Sequence, residues 1–191
     1  MVLTDALPLV TERLVLRPFT LDDVEDMHAY QGLSGVARYL YRPPRTREEC
    51  AAVIAGSSAP PDWRTDDDRL LLAVTRAGEP RVIGETVLKC ASAHARQTEI
   101  GWAFHPDYGN QGYATEAARA LAALAFDTLG THRLFARLDV ENTASSRLCE
   151  RLGMRREAHL VDNDLDGERW GSEYVYAALA HELRRGRPDA G

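Results

Sequence analysis

Only three cysteines, Cys50, Cys90 and Cys149, occur in the 191 residues of the chain. An odd number so widely spaced builds neither a disulfide framework nor a zinc site. The 6 histidines show no metal-ligand spacing either, so no metal is expected. Basic residues are outnumbered 23 to 29, the net charge is −6 and no basic stripe stands out, which argues against a nucleic-acid partner. No apolar run approaches membrane-spanning length. The start, Met1-Val2-Leu3-Thr4-Asp5, lacks the basic-then-apolar layout of a signal peptide. A cytoplasmic protein with no membrane partner is therefore expected. Repeats, low-complexity tracts, a nucleophile elbow and the lysine of an NTPase phosphate loop are also missing. What remains is an ordinary globular composition, long enough for one domain with a proper core.

The most informative run present is Gly109-Asn110-Gln111-Gly112-Tyr113-Ala114-Thr115-Glu116. It lies between an apolar strand pattern and an alanine-rich helix pattern. A turn there aims backbone N–H groups outward, and the unpaired first-turn amides and the helix dipole favour an anion at the same point. Such a corner suits a phosphate-bearing cosubstrate. The plainer reading is that Gly109 and Gly112 merely let the backbone bend.

Around this run the chain reads as alternating elements. Residues 14–19 form a first strand, and Thr20 caps a helix carrying Leu21, Val24, Met27 and His28. Pro43-Pro44 precedes a second helix over 48–55, and Pro60-Pro61 breaks the chain again. Strands follow at 70–75, 82–90 and 98–105, the first two joined by a turn at Gly78. In the third, Ile100, Trp102 and Phe104 share one face and Glu99, Gly101, Ala103 and His105 the other. The small middle of that second face leaves room for a ligand or accommodates a helix. Ala117, Leu121, Leu124, Ala125 and Thr128 then recur at helical spacing up to Gly130. A strand at 134–140 precedes a short helix capped by Asn142 and ended by Gly153. Strands near 155–160 and 172–179 close the domain. This order gives an α/β (α+β) mixed sheet with helices on both faces, not a doubly wound nucleotide fold.

The segment from Gln111 to Ala117, with Asn142, Ser145, Leu148, Leu152, Gly153 and Met154 behind it, resembles the GNAT N-acetyltransferase superfamily. Thr11-Glu12-Arg13-Leu14-Val15-Leu16-Arg17-Pro18 and Glu99-Ile100-Gly101-Trp102 are similar to one branch, which contains the ribosomal-protein N-terminal (RimJ/RimL-type) acetyltransferases. The likeness runs from about Thr11 to Leu183. It implies a mostly antiparallel central sheet of about seven strands, acetyl-CoA as cosubstrate and donor, an amine acceptor (a peptide N-terminus or a small molecule), and a monomer or homodimer. The diphosphate is expected on Gly109, Asn110, Gln111, Gly112, Tyr113, Ala114 and Thr115. The pantetheine arm is expected against Trp102, Phe104, Asn142 and Ser145. Gly109 stands where the family usually has Gln or Arg, and Asn110 where it usually has Gly. Cys149 occupies the place of a tyrosine acid that members of this branch often lack.

Acetyl transfer to an amine needs a neutral amine, a stabilised oxyanion and a protonated or shielded thiolate. Glu99 is the first candidate for the base, and Glu85 the second; either is equally readable as a structural carboxylate. Ser145 is a candidate donor to the leaving sulfur, or a first-turn cap. Cys149 lines the same pocket or is a buried structural thiol. The oxyanion would fall to a strand amide near Phe104. Arg147 and Arg151 either reach the ribose phosphate or are solvated. Trp63, Trp170, Asp162, Asp164, Asp166 and Glu168 lie in segments that shape the acceptor entrance in related enzymes, or are ordinary surface. Two other functions compete: an inactive acetyl-CoA-binding sensor or partner-binding module, and an ADP- or NAD-binding domain, which the strand order disfavours.

Overall fold

A computed structural model describes residues 3–57, 59–166 and 169–184. Eight strands make one sheet: β1 (Leu9–Val10), β2 (Leu14–Pro18), β3 (Arg69–Arg76), β4 (Val82–Ser92), β5 (Gln97–Phe104), β6 (Arg133–Asp139), β7 (Arg155–Asp166) and β8 (Arg169–Leu179). Their order is β1-β2-β3-β4-β5-β6-β8-β7. Only β5 and β6 run parallel; every other neighbouring pair is antiparallel. Seven strands match those expected, and β1 is the addition.

Helices α1 (Val24–Gln31), α2 (Ser34–Ala37) and α3 (Arg47–Ala55) precede β3, while α4 (Tyr113–Ala123) and α5 (Thr143–Leu152) flank β6, and α6 (Ala180–Arg184) follows β8. On α4, Ala117, Ala118, Leu121 and Ala122 are buried, so small side chains at helical spacing let the helix lie close to the sheet. The turn after it is π-helical: Leu129 N–H reaches back to Leu124 O at 3.1 Å.

Alternation along the strands divides the apolar residues between two cores. Leu16, Leu72, Val74, Leu88, Ile100 and Leu134 pack with α4 and α5. Ala73, Val82 and Ala103, on the other face, pack with Met27 and Tyr30 of α1 and Cys50 and Ile54 of α3. Each fully buried leucine contributes roughly 2 kcal/mol of transfer free energy. The layers are therefore helix, sheet, helix, with the sheet fixed from both sides. His105 leaves β5 rather than ending it, and its ring Nδ1 accepts from Asp107 N–H at 3.2 Å.

Candidate active site

Parallel pairing between β5 and β6 holds only at Gln97↔Arg133, Thr98↔Leu134 and Glu99↔Phe135. Beyond Glu99 the two strands part, although β5 continues to Phe104 and β6 to Asp139. The middle of the sheet thus carries an open edge. His105 N–H donates to Ile83 O on the β4 side at 2.9 Å. Since successive N–H groups of a strand point to opposite sides, those of Phe104 and Trp102 face the opening. Backbone donors and acceptors exposed there must find a partner, and an extended amide-bearing ligand supplies one.

Downstream of β5 the chain turns into α4. Asn110 (φ 58°) and Gly112 (φ 80°) both take left-handed backbone conformations. At Gly112 a side chain would be strained, and a Cβ would stand 3.3 Å from Arg13 Nη2. The first α-helical bond is Glu116 N–H to Gly112 O, 3.0 Å. The amides of Tyr113, Ala114 and Thr115 precede it and meet no backbone acceptor among the described residues.

An ionic clamp holds this corner. The Glu116 carboxylate accepts from Thr11 Oγ1 (2.7 Å), Arg13 N–H (2.9 Å) and Arg13 Nε (2.7 Å). Arg13 Nη1 also donates to Gln111 O at 3.0 Å, and its guanidinium lies 4.8 Å from the Tyr113 ring centroid. The acidic residue that ends the glycine run and the Thr-x-Arg ahead of β2 are therefore one device, tying the strand to the helix start. Burial pushes the Glu116 carboxyl up, but these donors together hold it below its ordinary value.

A cavity of about 260 Å³ lies at the opening, bounded by Glu85, Glu99, Gly101, Trp102, Asn142 and Ser145. Across it runs the segment between α1 and α3. Arg38 pairs with Glu141 at 2.7 Å, and Tyr41 donates to Asp139 Oδ2 at 2.6 Å. The Tyr41 ring sits against Gly171, where a Cβ would come within 2.1 Å of it, so only glycine lets the ring dock. That bridge brings Tyr39, Leu40, Arg42 and Arg45 to the cavity wall.

Glu99 stands on this wall, half-buried. Burial pushes its carboxyl above the ordinary value, against the opposing pull of Arg137 and Lys89. Glu85 is buried with both oxygens committed, one to Tyr30 Oη (2.8 Å) and one to Gln31 Nε2 (2.7 Å). Ser145 Oγ accepts from Trp102 Nε1 at 3.2 Å, which leaves its own proton free to be donated. Asn142 Oδ1 accepts from Ser145 N–H at 3.1 Å, so the asparagine caps α5 and the serine side chain does not.

Other expected residues lie elsewhere. Cys149 is fully buried in the apolar core, and burial pushes its thiol up to about 12, so it is a packing residue and not a cavity one. Ala103 joins the core on the α1 side and also lines the cavity, so the small face of β5 is open from Glu99 through Gly101 to Ala103. Arg151 donates to Thr115 Oγ1 at 3.3 Å beside the free amides, whereas Arg147 is exposed. Gln111 folds back onto Asp107 O at 3.1 Å. Trp170 is 60% exposed; Trp63 packs against the core. Asp162, Asp164 and Asp166 belong to β7, and neither Asp162 nor Asp164 lines the cavity. Glu168 lies outside the described residues. Sequence reasoning placed the acceptor pocket in residues 31–68 and the loop after His159 without singling out Gln31, Tyr41, Arg42 or Arg45, and it missed Arg137. The first four lie at a helix end or in irregular backbone without periodicity, and Arg137 reads as an outward strand residue.

A strand pair that opens in mid-sheet, followed by a glycine turn into a helix with free amides, suits an extended ligand that ends in an anion. Residues 13–155 match the family model described as the acetyltransferase (GNAT) domain. The uncharacterized N-acetyltransferase YnaD of Bacillus subtilis (strain 168) is 33% identical over 175 residues, covering 91% of this chain and 98% of that protein. A GNAT-family acetyltransferase structure from Bacillus anthracis superposes with a TM-score of 0.82 at 33% identity, covering 91% of this chain and 99% of that one. The spermidine N-acetyltransferase of Vibrio cholerae, solved with CoA and spermine, shares the fold: TM-score 0.78, 19% identity, 91% and 99% covered. The chain belongs to the GNAT N-acetyltransferase family.

Proposed function

We propose that this chain transfers the acetyl group of acetyl-CoA to a primary amine by direct attack on the thioester. The opening of the sheet beyond Glu99 carries this reading. It sets the outward N–H of Trp102, the Ser145 hydroxyl and the Glu99 carboxyl around one cavity, with β5 leading from there past the outward N–H of Phe104 to the free amides at α4. Those amides, with the positive end of the helix, hold the diphosphate. The pantetheine arm pairs with the β5 edge and reaches Asn142 and Ser145. Neighbours of the same fold have been solved with CoA and spermine, or with acetyl-CoA and AMP, which supports the cosubstrate assignment.

In the reaction the amine nitrogen bonds to the thioester carbon and its proton passes to Glu99, directly or through water. The Phe104 amide steadies the oxyanion. The C–S bond then breaks, and the sulfur takes a hydrogen bond or proton from the Ser145 side. An α-amino group, with a pKa of about 8, costs roughly 1 kcal/mol to neutralise at pH 7, and a lysine roughly 4–5 kcal/mol. A carboxylate held above its ordinary pKa is a base suited to the first.

Incubation with acetyl-CoA and a panel of amines, followed by free-thiol release, tests the proposal. Acceptor-dependent release is expected. Tight acetyl-CoA binding with no release on any amine would replace the enzyme reading with that of a sensor.

A further inference from the structure

The cavity wall has an unbalanced charge that the transfer reaction alone does not use. Four arginines (42, 45, 69 and 137) line it against two carboxylates, Glu85 and Glu99, and of these arginines Arg137 alone is in an ion pair among the described residues. Glu85 is held by Tyr30 and Gln31. Arg137 is paired with Glu173, whose Oε2 also accepts from Asn163 at 2.6 Å. Around the nearby helix start, Glu49 accepts from Thr46 N–H at 2.8 Å and Glu25 pairs with Arg47. Arg42 and Arg45, both half-buried on the same wall, form no direct ion pair among the described residues, although Glu85 and Glu49 act on Arg42 through space. Arg42 spends its donors on two neutral oxygens, Gln31 Oε1 and Pro43 O (3.0 Å for the second). The Arg45 side chain meets no acceptor among the described residues. Burial first, and then the like charge of Arg45, push the Arg42 guanidinium below its ordinary value.

Two adjacent guanidiniums left short of an anion at the wall of a small cavity make a receptor for one. We propose that the acceptor is a primary amine that also carries a carboxylate, which lies against Arg42 and Arg45 while the amine points toward Glu99. This rests on the acetyl-transfer reading of the same cavity. A cavity of about 260 Å³ admits an amino acid or the first residues of a peptide. A carboxylate matches the planar fork of a guanidinium in a paired geometry. A polyamine would place further cations against Arg42 and Arg45 and is disfavoured for the same reason.

The test measures kcat/KM by thiol release on matched acceptors: free α-amino acids, their carboxamides, short peptides with an acidic or an amide second residue, and spermine. The expected result is a preference of about tenfold or more for the carboxylate over its carboxamide, in the amino-acid arm or the peptide arm. The arm that shows it identifies the source of the carboxylate. In Arg45→Gln that ratio falls toward one, chiefly through KM for the carboxylate acceptor. Arg47→Gln, on the exposed side and paired with Glu25, leaves the ratio intact. Equal use of carboxamide and carboxylate, a preference for spermine, or a ratio unmoved by Arg45→Gln overturns the inference while leaving acetyl transfer standing. Thiol release with no amine at all overturns both. Arg45 bridges no two elements through its side chain, so the variant is expected to fold, which circular dichroism checks.

Discussion

Glu99 sits where burial and two nearby cations act in opposite directions, and burial prevails, leaving its carboxyl above the ordinary glutamate range. As a base it works ionised, so activity falls as pH drops through that raised value. The acid limb of kcat/KM is expected above the usual carboxylate range, and Glu99→Gln should lose the limb and about a hundredfold in kcat. The same shift has a stability consequence. A carboxyl that binds its proton more tightly folded than unfolded stabilises most at acid pH, and the benefit is lost as pH rises through the folded pKa. Glu99→Gln should therefore raise Tm at pH 7. A lower Tm with an unchanged pH–rate profile would make Glu99 a structural carboxylate. This residue was legible from strand alternation, as were Trp102 and Gly101 beside it. Arg42 and Arg45 were not, because irregular backbone between two helices has no period from which a facing direction follows.

The helix start at Gly112 is held in place by the pairing of Glu116 with Arg13, two residues 103 apart in the chain. Glu116→Ala removes the acceptor for three donors and leaves the Arg13 guanidinium without its carboxylate. We expect a loss of about 2 kcal/mol in urea unfolding, together with weaker acetyl-CoA binding because Gln111 O loses an ordered donor. The folded Glu116 carboxyl titrates below its ordinary value, so the clamp contributes fully above the unfolded pKa and is lost as pH falls through the folded one. The Arg17–Asp23 pair, at 2.7 Å, behaves in the same sense. The wild type should thus lose stability more steeply below about pH 4 than Glu116→Ala does. Most elements could be read from pattern: β2 to β6, α3, α4 and the Asn142 cap of α5. The rest had physical reasons to escape. Two-residue β1 is too short to alternate. The outer half of β7 is rich in Asp and Asn, poor strand formers that pair only because β8 lies beside them.

For the molecule as a whole, the decisive feature is the separation of β5 from β6 beyond Glu99, with the Tyr41 bridge spanning from one side. No local pattern encodes it. Two strands separated by a helix part or pair according to how α4 and α5 pack beneath them, and that is a tertiary property. A ligand that fills the opening binds only the folded state, so acetyl-CoA at about a hundred times its Kd should add about 2.7 kcal/mol of stability, read as a rise in Tm. The shift should shrink in Glu116→Ala at equal ligand concentration. Calorimetric titration with CoA and, separately, with pantetheine addresses the diphosphate corner itself. CoA should bind with measurable heat, and pantetheine, which lacks the diphosphate, far more weakly. Absence of binding by CoA, or equal affinity for the two, would contradict the assignment of the Gly112 amides as the diphosphate site.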